Sequence, residues 1–119
     1  MEEYEVAVKY VSESLEGISF VGFIGRDGLP VTIAAKSEMD SAEASAELAS
    51  IFNVVLRGTK ALNIGIPTEL FFTTASMGMI VYPVSEEYFL AVALSAPVNL
   101  GRARLEIKKI LPKLEELIK

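Results

Sequence analysis

Two stretches in the last third of the chain, Met79 to Val84 and Tyr88 to Leu94, are apolar at nearly every position. Runs this short, rich in β-branched and aromatic residues, read as strands. Their side chains fall alternately on the two faces of a sheet. Met79 and Val81 then oppose Ile80, Tyr82 and Val84, while Tyr88, Leu90 and Val92 oppose Phe89, Ala91 and Ala93. An antiparallel sheet with one wet face alternates apolar with polar residues. These strands do not, so the chain has to cover both faces of its sheet, and helices should do the covering.

The remaining sequence supplies candidates for that task. Val6, Ala7, Tyr10, Val11 and Leu15 recur near helical spacing and predict a helix over about Glu3 to Leu15, stopped by Gly17. Ile18 to Ile24 and Leu29 to Ala35 read as two strands joined around Gly25-Arg26-Asp27-Gly28, where Asp27 and Gly28 tolerate the positive φ of a tight turn. A second helix is signalled by Asp40 as N-cap, with Glu43 as its reciprocal capping-box partner. It runs to about Asn63, with Gly65 and Pro67 as the stop.

On this second helix Ala44, Leu48, Ile51, Phe52, Val55, Thr59 and Leu62 form the stripe expected to lie on the sheet. The opposite face carries Ala46, Ala49, Ser50, Asn53, Val54, Arg57 and Ala61, small or weakly polar where a solvated helix shows lysine and glutamate. Either the helix is simply alanine-rich, or a second helix packs there. Gly58, inside the helix, costs about 1 kcal/mol relative to alanine. A third strand at Thr68 to Thr74 precedes the two apolar ones, and a final helix runs from an Asn99 cap toward Lys119, with a kink or break expected at Pro112. The order is helix, two strands, helix, three strands, helix: an α/β chain of the α+β kind, read as one domain over residues 1–119.

Composition removes most chemistry. The chain has no Cys and no His, hence no thiol, no imidazole base and no thiolate or imidazole metal site. Gly22, Gly25 and Gly28 sit in a hairpin and form no phosphate-binding loop, and the scattered acids give no ligand or paired-carboxylate pattern. No catalytic residue and no cofactor is therefore expected. A net charge of −5 offers no positive field to nucleic acid or anionic lipid. Glu2, Glu3, Glu5, Glu13 and Glu16 make the N-terminal end acidic, whereas Arg102, Arg104, Lys108, Lys109, Lys113 and Lys119 make the C-terminal helix basic. The two ends are expected to lie near each other on one face and attract. No apolar run is long enough to span a bilayer and no secretory signal is visible, so no membrane insertion and a cytoplasmic location are expected.

The element order, with the local sequences GLPV (28–31), YPV (82–84), YFLAV (88–92) and NLGRARLEIKK (99–109), resembles the roadblock, or dynein light chain, domains. Prokaryotic members of that family include gliding-motility regulators that act as partners of small Ras-like GTPases. The resemblance implies a five-stranded antiparallel sheet, roadblock/profilin-like, with the first and last helices on one face and the long helix on the other. It also implies a homodimer formed by pairing the third strand with its copy, which places Thr68, Glu69, Leu70, Phe71, Phe72 and Thr73 in the interface and sets the two long helices side by side, with Val54 and Ala61 between them. The sequence agrees in two respects: this strand carries one charge, Glu69, and no edge-blocking Lys or internal Pro, an aggregation hazard if left open, and the small-residue outer face of the long helix suits contact with a dimer partner or a third protein.

Ala46, Ala49, Ser50, Asn53 and Arg57 would then form the platform for the GTPase. Arg26, Arg57, Arg102 and Arg104 are candidates for an arginine acting in trans, although the resemblance designates none. A passive dimeric scaffold or adaptor joining other proteins, and a heterodimer with another roadblock protein, are the alternatives.

Overall fold

The computed structural model describes residues 2–118. The elements follow the expected order: α1 (Glu3–Ser14), β1 (Ile18–Gly25), β2 (Pro30–Ala35), α2 (Ser41–Ala61), β3 (Leu70–Thr73), β4 (Met77–Pro83), β5 (Tyr88–Ser95) and α3 (Leu100–Leu117). All strand pairs are antiparallel, and the sheet order is β2-β1-β5-β4-β3. Both outer strands, β2 and β3, thus belong to the neighbouring parts of the sequence, while the most apolar strand, β5, lies in the centre.

Helices cover both faces, as the doubly apolar strands require. On one face Val8 and Val11 of α1, with Ile107 and Leu114 of α3, pack on Val21, Phe23, Ile80, Leu90 and Val92. On the other, Leu48, Phe52 and Leu56 of α2 pack on Phe20, Ile24, Val81 and Phe89, above the small Ala91 and Ala93 of the central strand. A single helix covers that side. Each buried Phe or Leu contributes roughly 1.5–3 kcal/mol through the area it removes from water.

Local signals differ from expectation at the ends of α2. Asp40 caps it by accepting from the N–H groups of Ala42 and Glu43, 3.0 and 3.1 Å, but among the described residues the Glu43 side chain returns no bond. The helix is stopped earlier than Gly65, by Asn63 at φ 57. Asn63 N–H donates to Lys60 O and Ile64 N–H to Thr59 O, both 3.1 Å, the paired bonds of a Schellman motif, in which asparagine replaces the usual glycine. At the β1–β2 turn only Gly28 has positive φ. Asp27 acts through its carboxylate instead, accepting from Leu29 N–H at 3.0 Å.

The third strand is shorter than expected, and its turn falls at residues 74–76, where Thr74 Oγ1 accepts from the N–H groups of Ser76 and Met77. Helix α3 runs unbroken through Pro112, which lies on its exposed side. Lys119 lies outside the described residues. The acidic α1 and basic α3 are neighbours, yet among the described residues no ion pair joins them. The link is the Tyr10 hydroxyl, which donates to the buried carboxylate of Glu106 at 3.2 Å. Lys109 donates to the same carboxylate at 2.6 Å and holds it below the usual carboxylate range. No helix of the described residues is long and apolar enough to cross a membrane.

Candidate interaction surfaces

Among the described residues, strand β3 pairs on one side only, with β4. Thr74 N–H donates to Met77 O at 2.8 Å, which sets the phase of the ladder: Leu70 and Phe72 direct their backbone groups to β4, and Phe71 and Thr73 direct theirs to the open side. The side chains divide in the same way. Leu70 and Phe72 lean onto the α2 core beside Met77 and Met79, whereas Phe71 and Thr73 are exposed. Thr68 is exposed just before the strand begins.

Glu69 has a different role from its neighbours. Arg104 of α3 grips its carboxylate with two bonds, Nε to Oε1 at 2.7 Å and Nη2 to Oε2 at 2.9 Å, and the Tyr82 hydroxyl donates to Oε1 at 2.9 Å. Arg104 holds the carboxyl below its ordinary value. Burial, and then the Glu69 carboxylate, push the Tyr82 hydroxyl up to about 12. Glu69 therefore fastens the start of β3 to α3, and its side chain is not a free interface group.

Helix α2 is rotated relative to the stripe expected from the sequence. The residues facing the sheet are Ser45, Leu48, Ala49, Phe52 and Leu56. Ala49 is only 4% exposed, so a partner cannot reach it. Asn53 is half-buried and committed: its Nδ2 donates to Arg26 O at 3.0 Å while its Oδ1 accepts from Arg26 Nε at 2.9 Å. Arg26 also donates through Nη1 to Glu86 O, so this arginine clamps the β1–β2 turn, α2 and the β4–β5 turn together. A methyl group at Gly28 would lie 3.3 Å from Ala46 Cα, which gives the small residues of this flank a reason within the fold: the hairpin tip comes close to the helix there. Of the five expected platform residues, Ala46, Ser50 and Arg57 remain exposed.

The flank of α2 toward β3 faces outward; it joins Ile51 and Leu62, which periodicity places in the core stripe, to Val54 and Ala61, which it places on the opposite face. Ile51 is 38%, Val54 53% and Leu62 71% exposed, and Ala61 is exposed beside them. A Cβ added at Gly58 would meet nothing within 4 Å. Between this flank and β3 runs a shallow apolar groove of about 280 Å³, with Phe72 and Met79 in its lining and Ile51 at its side. The signal available in the sequence was the Ser45, Leu48, Phe52, Leu56 repeat, which lies on one side of the broader stripe. Edge strand, groove and apolar flank are contiguous, an arrangement suited to packing against protein rather than to chemistry.

No family model matches the sequence, and no curated protein matches it closely enough to count as a relative. Solved structures do match in fold. A roadblock/LC7 domain from Streptomyces avermitilis superposes with a TM-score of 0.86 at 10% identity, covering 96% of each chain. MglB of Myxococcus xanthus gives 0.86 at 17% identity, covering 98% of each. Profilin IA of Acanthamoeba castellanii gives 0.64 at 16% identity, covering 98% of this chain and all of its own, 100%. The chain has the roadblock fold, and profilin shares its architecture. Function has to be argued from the surfaces.

Proposed function

We propose that this chain is a homodimer that binds a small Ras-like GTPase and modulates its nucleotide cycle, contributing no catalytic chemistry of its own. The observation that carries the dimer is the open β3 edge beside the exposed flank of Ile51, Val54, Gly58 and Leu62. Antiparallel pairing of β3 with a second copy satisfies the outward backbone groups of Phe71 and Thr73 and lays two α2 helices side by side across their apolar flanks. Ala61 and Thr68 lie at the margin of that contact, while Leu70 and Phe72 support it from beneath.

The GTPase assignment rests on the roadblock resemblance and on the MglB-like fold. The platform is the outer surface of the paired helices, formed by Ala46, Ser50 and Arg57 of each copy, without Ala49 and Asn53. A regulator on such a surface acts by holding the mobile switch segments of its partner.

The test is affinity capture from source-cell lysate, run in parallel with a non-hydrolysable GTP analogue and with GDP. A small GTPase should be retained mainly in one nucleotide state. Ser50→Arg combined with Arg57→Glu should lower its retention at least tenfold while sedimentation still reports a dimer. Retention of other proteins regardless of nucleotide would replace this reading with that of a passive scaffold, and a sister roadblock protein in place of the second copy would make the assembly a heterodimer.

A further inference from the structure

Strand β3, the edge of the proposed dimer, is the shortest in the sheet and has little backbone support where it begins. Among the described residues no backbone hydrogen bond involves residues 65–69, and Ile64 and Ile66 stand exposed. Ladder pairing starts only at Leu70, opposite Val81. What holds the entry to the strand is a side chain. Glu69 lies opposite Tyr82 by the same register, and its carboxylate accepts two bonds from Arg104 and one from the Tyr82 hydroxyl.

This contact fixes geometry as well as supplying attraction. A guanidinium bound through two nitrogens sets both the position and the orientation of the carboxylate. Arg104 stands on α3, which is itself seated on the sheet through Ala103 and Ile107. The Glu69 side chain is 21% exposed, so the pair is partly shielded from water. By alternation along the strand, Glu69 shares its face of the sheet with Phe71 and Thr73, the two residues whose backbone groups point to the open side.

We propose that Arg104, assisted by Tyr82, is a positioning residue for dimerisation: through Glu69 it holds the start of β3 in place for a second copy, although Arg104 belongs to α3 and Tyr82 to β4. The inference rests on β3 being the dimer edge. A strand that is ordered only part of the time binds with a dissociation constant divided by its ordered fraction. In an isologous contact both copies present the same strand, so the factor enters once for each. An ion pair that merely adds stability to the domain would leave the ordered fraction of β3, and with it the dimer affinity, unaltered.

The test has two readings. In a protomer made monomeric by Phe71→Lys with Thr73→Pro, amide exchange at Leu70 and Phe72, whose backbone groups bond to β4, should quicken about tenfold or more when Glu69→Ala or Arg104→Ala is added. Tyr82→Phe should act in the same direction to a smaller extent. In the otherwise unaltered chain, Glu69→Ala and Arg104→Ala should each raise the dimer dissociation constant about fourfold or more by sedimentation equilibrium, the value reached when β3 is ordered half the time in each copy. Combining the two should add little, because both act through one pairing. Asn53→Ala, which loosens α2 on the other face of the sheet, should move neither reading. Unchanged exchange at Leu70 and Phe72, or a dissociation constant moved no further than by Asn53→Ala, would overturn the proposal. A chain that is monomeric before any substitution would remove the dimer itself, and this role of Arg104 with it.

Discussion

Gly58 offers a quantitative test of whether the β3-side flank of α2 packs against anything. It lies inside a 21-residue helix, is exposed, and a methyl group placed on it touches nothing within 4 Å in the protomer. In an isolated protomer Gly58→Ala should therefore stabilise by about 0.8–1 kcal/mol, the difference in helix propensity. With an unfolding entropy of about 2.1 cal/mol/K per residue, 1 kcal/mol in 119 residues raises Tm by about 4 °C. If a second α2 crosses at Gly58, the same methyl meets a backbone that came close because the side chain was missing. Overpacking of that kind costs about 1–3 kcal/mol.

The two effects separate when the substitution is made twice, once in the unaltered chain and once in an edge-disrupted background. Phe71→Lys with Thr73→Pro is the appropriate disruption, because these residues carry the outward side chains and backbone groups, whereas lysines at Leu70 and Phe72 would enter the α2 core. Thermal unfolding of the edge-disrupted protein should show the gain of about 4 °C. Sedimentation equilibrium of the otherwise unaltered chain should show a dimer dissociation constant raised about fivefold or more. The same stabilisation in both backgrounds, with the dissociation constant unmoved, would refute the claim that this flank is a packing surface.

The Glu69 carboxylate is held below 4.5 by Arg104, so it contributes stability that is fully present above 4.5 and is lost as the pH falls through its lower folded value. Glu69→Gln should therefore unfold at lower denaturant than the unaltered chain at neutral pH, with the gap narrowing as acid is added; a gap that stays constant with pH would contradict the pairing. Asn53→Ala removes both bonds between α2 and Arg26 and should cost about 2 kcal/mol in denaturant unfolding. An unchanged midpoint would mean that the clamp joining the two turns to α2 carries no stability.

Much of the architecture was legible because it rests on short-range chemistry. The doubly apolar β4 and β5 demanded cover on both faces, and the caps at Asp40 and Asn99 marked helix starts that hold in the structure. Asn63 was passed over as a stop because asparagine in the left-handed region is less common than glycine, although its short polar side chain makes that conformation accessible. The faces of β4 and β5 followed from a period of two, which leaves no freedom of phase once one buried residue is known.

The candidate surfaces were less legible, for a physical reason. Helical periodicity locates an apolar stripe, but α2 carries apolar residues around more than half its circumference, so sequence alone could not distinguish the side on the sheet from the side open to a partner. That phase is decided by tertiary packing: Ala49 fits beneath the helix, Gly28 admits Ala46, and Arg26 takes Asn53, which together turn Ile51, Val54 and Leu62 outward. Likewise, the sequence supplied Glu69 as a lone charge in an apolar strand, and only the approach of α3, bringing Arg104 within 2.7 Å, made it a fastening. The sequence by itself determined the elements, their order and the need for two covered faces. The rotation of the long helix, the identity of the open edges and the groups each edge presents were decided by contacts between residues far apart in the chain.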